Sequence, residues 1–405
     1  MSLEQQQELE SQYVMHTFAR KPVELVSGKG MEVEDAEGNT YLDFIAGIGV
    51  CSLGHCHPVI TKALQDQSQH LIHVSNYYYI EGRGELSRKI SGLLNGGNPA
   101  SPEPWQTFYA NSGAEANECA IKLARKYSFD KYGKDAERNI IITLVNSFHG
   151  RTLCTLSATG QEVFHNYFFP FVGGFENVIA NDIDDLMDKL NKLDNKVCAV
   201  MFEFVQGEGG VIPLQQSFVN TIMLECAKRD ILTIADEVQT GVGRTGRLLT
   251  SEIYNVKPDI TTLAKGLAGG VPIGVCLANK KCSEVLGKGT HGSTFGGNPI
   301  SCAGGNAVLD KVTKPEFLEE VRKKGEYFRV KLAEIDEVEG VDGLGLMIGV
   351  RLKTKKAADV LNKCFENGLL ILTAKDKLRF LPPLNISYEQ IDKGLAILKK
   401  VLDEK

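Results

Sequence analysis

The chain has 405 residues, 43% hydrophobic and 24% charged, with a net charge of −6, a composition that excludes disordered, coiled-coil and collagen-like classes. Its length exceeds the roughly 250–300 residues at which a single core stops growing, so a large unit and a smaller one are expected. The acidic balance offers no basic face to nucleic acid or anionic lipid, and no apolar run approaches the roughly 20 residues that span a bilayer.

The first twelve residues are acidic and Gln-rich, without the charged start and apolar core of a signal peptide or the Arg-rich pattern of a transit peptide. His55-Cys56-His57 spells a ligand-like cluster, but three adjacent side chains ahead of Pro58 diverge, so no metal is expected there. From about residue 60 to residue 280 helical and strand patterns alternate, which predicts an α/β fold with a mostly parallel sheet and crossover helices. The Gly/Pro-rich residues 95–104 read as a surface loop. Apolar or β-branched runs place strands at residues 140–145, 198–205, 231–235, 260–264 and 273–278. Beyond Pro299 the pattern changes to a helix over 315–336, strands at 346–352, 369–373 and 377–381, and a last helix from Ser387. The expected division is therefore a large domain over residues 61–298 and a smaller α+β domain built from residues 1–60 and 299–405. Arg322-Lys323-Lys324 reads as a solvated helix face. The ten cysteines are scattered without zinc-knuckle or redox spacing, which points to reduced thiols and a cytoplasmic protein.

In a parallel α/β sheet, chemistry gathers at the carboxyl ends of the strands. Asn111-Ser112-Gly113-Ala114-Glu115 opens a helix whose apolar positions Ala116, Ala120, Leu123, Ala124 and Tyr127 recur at helical spacing. Ser112 and Gly113 fall where free backbone N–H groups and the helix dipole can bind phosphate, although Ser-Gly is also an ordinary N-cap. The strand pattern at 231–235 runs into Asp236-Glu237-Val238-Gln239. An acid at that edge either caps a turn or faces a cation, such as a protonated pyridine nitrogen. The pattern at 260–264 delivers Lys265 to the same edge, where an amine is either solvated or forms an imine with an aldehyde. The order of phosphate cradle, carboxylate and lysine favours a pyridoxal phosphate site anchored on Lys265. Gly241-Val242-Gly243-Arg244-Thr245-Gly246 has the dinucleotide-binding spelling, but residues 236–240 separate it from the strand and no clear amphipathic helix follows, so it reads as a loop.

A longer series of ordered motifs carries a resemblance. It runs through Tyr41-Leu42-Asp43-Phe44, Leu53-Gly54-His55-Cys56-His57-Pro58, Ser112-Gly113-Ala114-Glu115-Ala116 and Phe148-His149-Gly150-Arg151-Thr152. It continues through Gln206-Gly207-Glu208-Gly209-Gly210, Asp236-Glu237-Val238-Gln239-Thr240-Gly241, Lys265-Gly266, Gly292-Ser293-Thr294-Phe295-Gly296-Gly297-Asn298-Pro299 and Leu378-Arg379-Phe380-Leu381-Pro382-Pro383. Over nearly its whole length the chain resembles the class III (ω-amino acid) aminotransferases, fold-type I enzymes dependent on pyridoxal 5'-phosphate. The resemblance implies Lys265 as the covalent anchor, Asp236 at the pyridine nitrogen, Gln239 at the phenolic oxygen, and Ser112, Gly113 and Ala114 at the phosphate. Phe148 and Val238 would pack on the two ring faces, and Thr294 would reach the phosphate of the neighbouring subunit's cofactor, implying an obligate homodimer with shared sites. Substrate binding would fall to Arg151, Arg379, Glu208 and Ser293. Arg151 would take the carboxylate far from the reacting amine, while Arg379 would take the α-carboxylate of glutamate and pair with Glu208 at other times.

The implied reaction is a two-step transamination from an ω-amine to 2-oxoglutarate, with N-acetylornithine favoured as donor and 4-aminobutyrate, ornithine or succinylornithine as alternatives. An intramolecular aminomutase of glutamate 1-semialdehyde, or a non-catalytic protein that binds the cofactor, would share the fold. Relatives of the first kind carry Thr at the Ala114 position, and the second would be expected to lose Lys265 or Asp236. Ornithine aminotransferases usually have Trp at the His149 position. One departure stands out: Phe204 occupies a position where many relatives have proline.

Overall fold

The computed structural model describes residues 2–96, 98, 101 and 103–404. Of the loop expected over residues 95–104, residues 97, 99, 100 and 102 lie outside the described residues. At the centre is a seven-stranded sheet. In chain order its strands are β1 (Gln106–Ala110), β2 (Ile140–Leu144), β3 (Phe175–Val178), β4 (Val197–Phe202), β5 (Leu232–Asp236), β6 (Ile260–Leu263) and β7 (Gly274–Ala278), lying side by side as β1-β7-β6-β5-β4-β2-β3. Pairing is parallel from β6 through β5, β4 and β2 to β3, and β7 runs antiparallel to both its neighbours.

Every residue of β4, β5, β6 and β7 is buried. Strands covered by helices on both faces are buried along their whole length in this way. Successive side chains of β4 point to opposite faces. Ala199 and Met201 pack against Ala120, Leu123 and Ala124 of helix α1 (Gly113–Tyr132), while Val200 and Phe202 pack against the helices Ile183–Leu193 and Gln216–Arg229.

The C-terminal segment builds a second, antiparallel sheet in the order Val338–Leu344, Met347–Leu352, Lys377–Phe380, Leu372–Ala374. The N-terminal strands Leu25–Lys29, Glu32–Asp35 and Thr40–Asp43 form a meander that Leu369–Leu370 extends in parallel, so the two ends of the chain share one sheet. The largest apolar cluster is continuous from Leu263 to Phe44, Phe328 and Phe380, whose three rings meet edge to face.

Several details differ from expectation. The run expected as one strand over 198–205 ends at Phe202, and Val205–Gln206 pairs separately with Ile212–Pro213. Phe204 sits in that break, fully buried, stacked on Tyr254 at 4.9 Å and edge-on to Phe202 at 5.2 Å, so it fills the interior beneath the strand end. The expected strand at 369–373 divides because Leu369–Leu370 joins the N-terminal meander and Leu372–Ala374 the C-terminal sheet. Strands β1 and β3, the N-terminal meander and Val338–Leu344 went unforeseen; β1 does carry the β-prone run Thr107-Phe108-Tyr109, whereas the others are short or interrupted by Gly and acidic residues. Arg322 is more than a solvated side chain: it donates to the Gly246 carbonyl at 2.6 Å and pairs with Glu319. The 241–246 segment is a loop of turns, with Arg244 buried and donating to the carbonyls of Leu346 and Pro382.

All ten cysteines are free thiols. Among the described residues no group of three or more His, Cys, Asp or Glu side chains is placed to hold a metal ion, and no helix is long and apolar enough to cross a membrane.

Candidate active site

A cavity of about 400 Å³ opens at the carboxyl ends of β5 and β6, beside the N-terminus of α1. Lys265, Asp236, Ser112, Gly113, Ala114, Phe148, Val238, Gln239 and Arg151 all line it. This is the edge at which a parallel sheet presents the side chains that follow its strands.

Lys265 follows β6 with φ of +42°, a left-handed conformation that L side chains rarely adopt. Such strain is held only where the surroundings fix it, and it clusters at functional sites. No acceptor within the described residues bonds the Lys265 amine. Burial pushes the pKa of this ammonium down, opposed chiefly by Glu208 and reinforced by Arg379, with Asp236 and Glu203 adding smaller opposing fields.

Asp236 ends β5 at 4% exposure, and its carboxylate is held from three sides. Its Oδ2 accepts from Asn117 Nδ2 and His149 Nδ1, both at 2.8 Å, and its Oδ1 accepts from the Val238 backbone N–H at 3.0 Å. Asn117 is itself fixed, since its Oδ1 accepts from Thr262 Oγ1 at 2.7 Å and its Nδ2 also donates to the His149 carbonyl. Facing a carboxylate, His149 carries its proton on Nδ1. Four elements thus lock one carboxylate in place and leave it directed at the cavity.

Helix α1 starts with Ser112 as its N-cap, the hydroxyl accepting from Glu115 N–H at 3.2 Å. The first-turn N–H groups of Gly113 and Ala114 have no partner within the helix, which makes this terminus a ready anion site. Gly113 is obligatory for packing: a Cβ there would lie 2.6 Å from Val238 Cγ1. Gln239 is equally confined. Its Oε1 is buried with no partner among the described residues, and a Cβ on Gly207 would approach that oxygen to 2.2 Å. A backbone anion site, a fixed carboxylate, an amide with unmet capacity and a buried amine fit the phosphate, ring nitrogen, phenolic oxygen and aldehyde of pyridoxal phosphate.

Arg151 is exposed at the rim, its guanidinium 3.9 Å from the centre of the Phe164 ring and 5.7 Å from that of Phe148. Arg379, by contrast, is 3% exposed. Its Nη1 donates to Glu208 Oε1 at 2.6 Å and to the Gly207 carbonyl at 3.1 Å. Neither member of the pair is among the residues lining the cavity, but Glu208 and Arg379 exert the two strongest charge effects on the Lys265 ammonium.

Ser293 and Thr294 do not reach the cavity. They line a separate open depression of about 1010 Å³, where Ser293 Oγ accepts from the Gly296 N–H and the Asn111 side chain. Asn117, His149, Thr262 and Glu203 were missed as site residues. A detectable signal existed for Asn117, which lies one helical turn beyond Gly113 and so shares its face.

A family model described as aminotransferase class-III matches residues 15–402. The acetylornithine aminotransferase of Haemophilus ducreyi is 49% identical to the chain over the full length of both. Among solved structures, an ornithine aminotransferase from Toxoplasma gondii with partial occupancy of pyridoxal phosphate at its active site is 32% identical. It superposes with a TM-score of 0.90, covering 99% of this chain and 94% of that one. The N-acetylornithine aminotransferase of Stenotrophomonas maltophilia gives a TM-score of 0.82 at 34% identity, covering 98% of each chain. The chain belongs to the class-III aminotransferases, enzymes dependent on pyridoxal phosphate.

Proposed function

We propose that this enzyme transfers the terminal amino group of N-acetylornithine to 2-oxoglutarate, yielding N-acetylglutamate 5-semialdehyde and glutamate, a step of arginine biosynthesis in the cytoplasm. The observation that carries a two-substrate reading is the Arg379–Glu208 pair, whose charges act on Lys265. A single substrate type would need either a permanently free arginine or none.

Pyridoxal phosphate, once bound, supplies the electron sink that makes a C–H bond beside nitrogen acidic. Ser112, Gly113 and Ala114 would hold its phosphate, Asp236 its ring nitrogen and Gln239 its phenolic oxygen, while Phe148 and Val238 would bound the two ring faces. The Lys265 amine would be the group that takes the proton from the substrate carbon and holds it for return across the nitrogen. Its lowered pKa keeps more of it as the free base that this transfer requires. Arg151 binds the carboxylate remote from the reacting amine. With N-acetylornithine in place, Glu208 neutralises Arg379; with glutamate, Glu208 swings aside and the α-carboxylate takes its place.

We also infer a homodimer. Ser293 and Thr294 lie apart from their own chain's cavity, with Tyr77 and Tyr79 exposed in the same depression and Phe295 exposed next to Thr294, a surface suited to a second copy whose cofactor Thr294 would reach. The large domain is taken as residues 61–298 and the smaller as residues 1–60 with 299–405. Ornithine is the alternative donor to compare, since an ornithine aminotransferase shares the fold over 99% of this chain. Measuring glutamate formation from 2-oxoglutarate with N-acetylornithine, ornithine, succinylornithine and 4-aminobutyrate decides between them. N-acetylornithine is expected to give the highest kcat/KM, and a higher value for any other donor would overturn the assignment.

A further inference from the structure

Glu203 follows β4 directly, is 5% exposed and lines the same cavity as Lys265. Its Oε2 accepts the Phe148 backbone N–H at 3.0 Å, and its Oε1 accepts the Gly207 backbone N–H at 3.3 Å. These two amides belong to segments with separate tasks. Phe148 opens the stretch that leads to Arg151. Gly207 precedes Glu208, and its carbonyl accepts from Arg379. We propose that Glu203 is a positioning residue that clamps the ring-facing segment to the gate segment, so that its ionised carboxylate keeps the Glu208–Arg379 pair closed and its protonation loosens it.

The chemistry follows from counting donors. An ionised carboxylate only accepts, so both oxygens can hold an N–H. Protonation turns one oxygen into a donor, and a donor facing an N–H loses that bond. The titratable groups around Glu203 are His149 from the Phe148 segment, Asp236 from the end of β5 and Lys265 from the loop after β6, with Glu208 and Arg379 beyond Gly207. Burial dominates. With Asp236 adding and His149 and the two N–H groups opposing, it pushes the Glu203 carboxyl up to about 7. The clamp therefore switches inside the working pH range, with glutamate admitted more readily as pH falls.

This inference rests on the two-substrate reading, and its test separates the two. In the holoenzyme, rates of the half-reactions with N-acetylornithine and with glutamate are measured separately from pH 5.5 to 9. The ratio of the glutamate rate to the N-acetylornithine rate is expected to rise at least threefold as pH falls through 7. Glu203→Gln keeps the side-chain shape and one acceptor, and so should hold that ratio at its low-pH value throughout. A wild-type ratio without an inflection between pH 6 and 8, or a Gln variant that slows both half-reactions by one factor while keeping the wild-type profile, overturns the proposal. Hydrogen exchange at the Phe148 and Gly207 amides of the wild-type holoenzyme gives a readout independent of turnover and of any variant's folding. After correction for intrinsic rates, Gly207 should lose protection below pH 7, and protection constant with pH overturns the clamp even if neither substrate reacts. Failure of turnover with both substrates, with that loss of protection intact, instead sinks the functional reading.

Discussion

Among the described residues, replacing Glu208 with alanine removes the only carboxylate paired with Arg379 and leaves the guanidinium, 3% exposed, with the Gly207 carbonyl as its one remaining acceptor. A fully buried charge stripped of its partner is penalised by about 3–5 kcal/mol. The Glu208 side chain is 29% exposed, however, so water can reach part of the vacated space. The value appropriate here is nearer the 1.5–3 kcal/mol of a charged hydrogen bond, which corresponds to about 10- to 150-fold. The sign differs between substrates. Under the proposed gate, glutamate would bring its own carboxylate to Arg379 and no longer have to displace Glu208, so its half-reaction should be retained or gain affinity. N-acetylornithine leaves Arg379 unneutralised, and its own α-carboxylate is drawn away from Arg151, so its half-reaction should slow by that factor. Stopped-flow absorbance of the bound cofactor, mixed with each substrate in turn, reads the two rates directly. Equal changes in both half-reactions would refute the gate, whatever their size.

Two further outcomes follow from the same geometry. Arg151→Ala should raise the substrate concentration needed for half-saturation in both half-reactions by about 10- to 150-fold, the worth of one charged hydrogen-bonded pair, without altering their ratio; a change confined to one substrate would contradict its shared role. Gly113→Ala forces a methyl group to 2.6 Å from Val238 Cγ1. Overpacking of this kind is disfavoured by about 1–3 kcal/mol, so equilibrium titration should show roughly 5- to 150-fold weaker binding of pyridoxal phosphate, and an unchanged affinity would show that Val238 yields freely.

Lys265 and Asp236 could be located from sequence because each ends a short apolar run, and a run's end at a parallel sheet's carboxyl edge follows from local pattern alone. Ser112 and Gly113 were legible for a similar reason, the onset of helical periodicity. The support around them was legible only in the helical spacing of Asn117 from Gly113. Asn117, His149 and Thr262 come from a helix, a loop and a strand, and only the fold makes them converge on Asp236. Glu203 was hidden because the apolar run continued through Phe204 and Val205, so an acid inside it looked like part of a strand. The break exists because Phe204 turns inward onto Tyr254, a tertiary contact without a local signature. The pairing of Leu369–Leu370 with Thr40–Asp43 likewise joins opposite ends of the chain, beyond any periodicity argument.

The central claim is that Lys265 anchors pyridoxal phosphate and that the enzyme shuttles an amino group through it. The most direct measurement is the visible absorption of the chain purified with pyridoxal phosphate, followed through addition of N-acetylornithine and then 2-oxoglutarate, for the wild type and Lys265→Ala. The account predicts a long-wavelength band that disappears with the donor, returns with the acceptor, and is absent in the variant. A band that survives Lys265→Ala unchanged, or one that neither substrate alters, would contradict it.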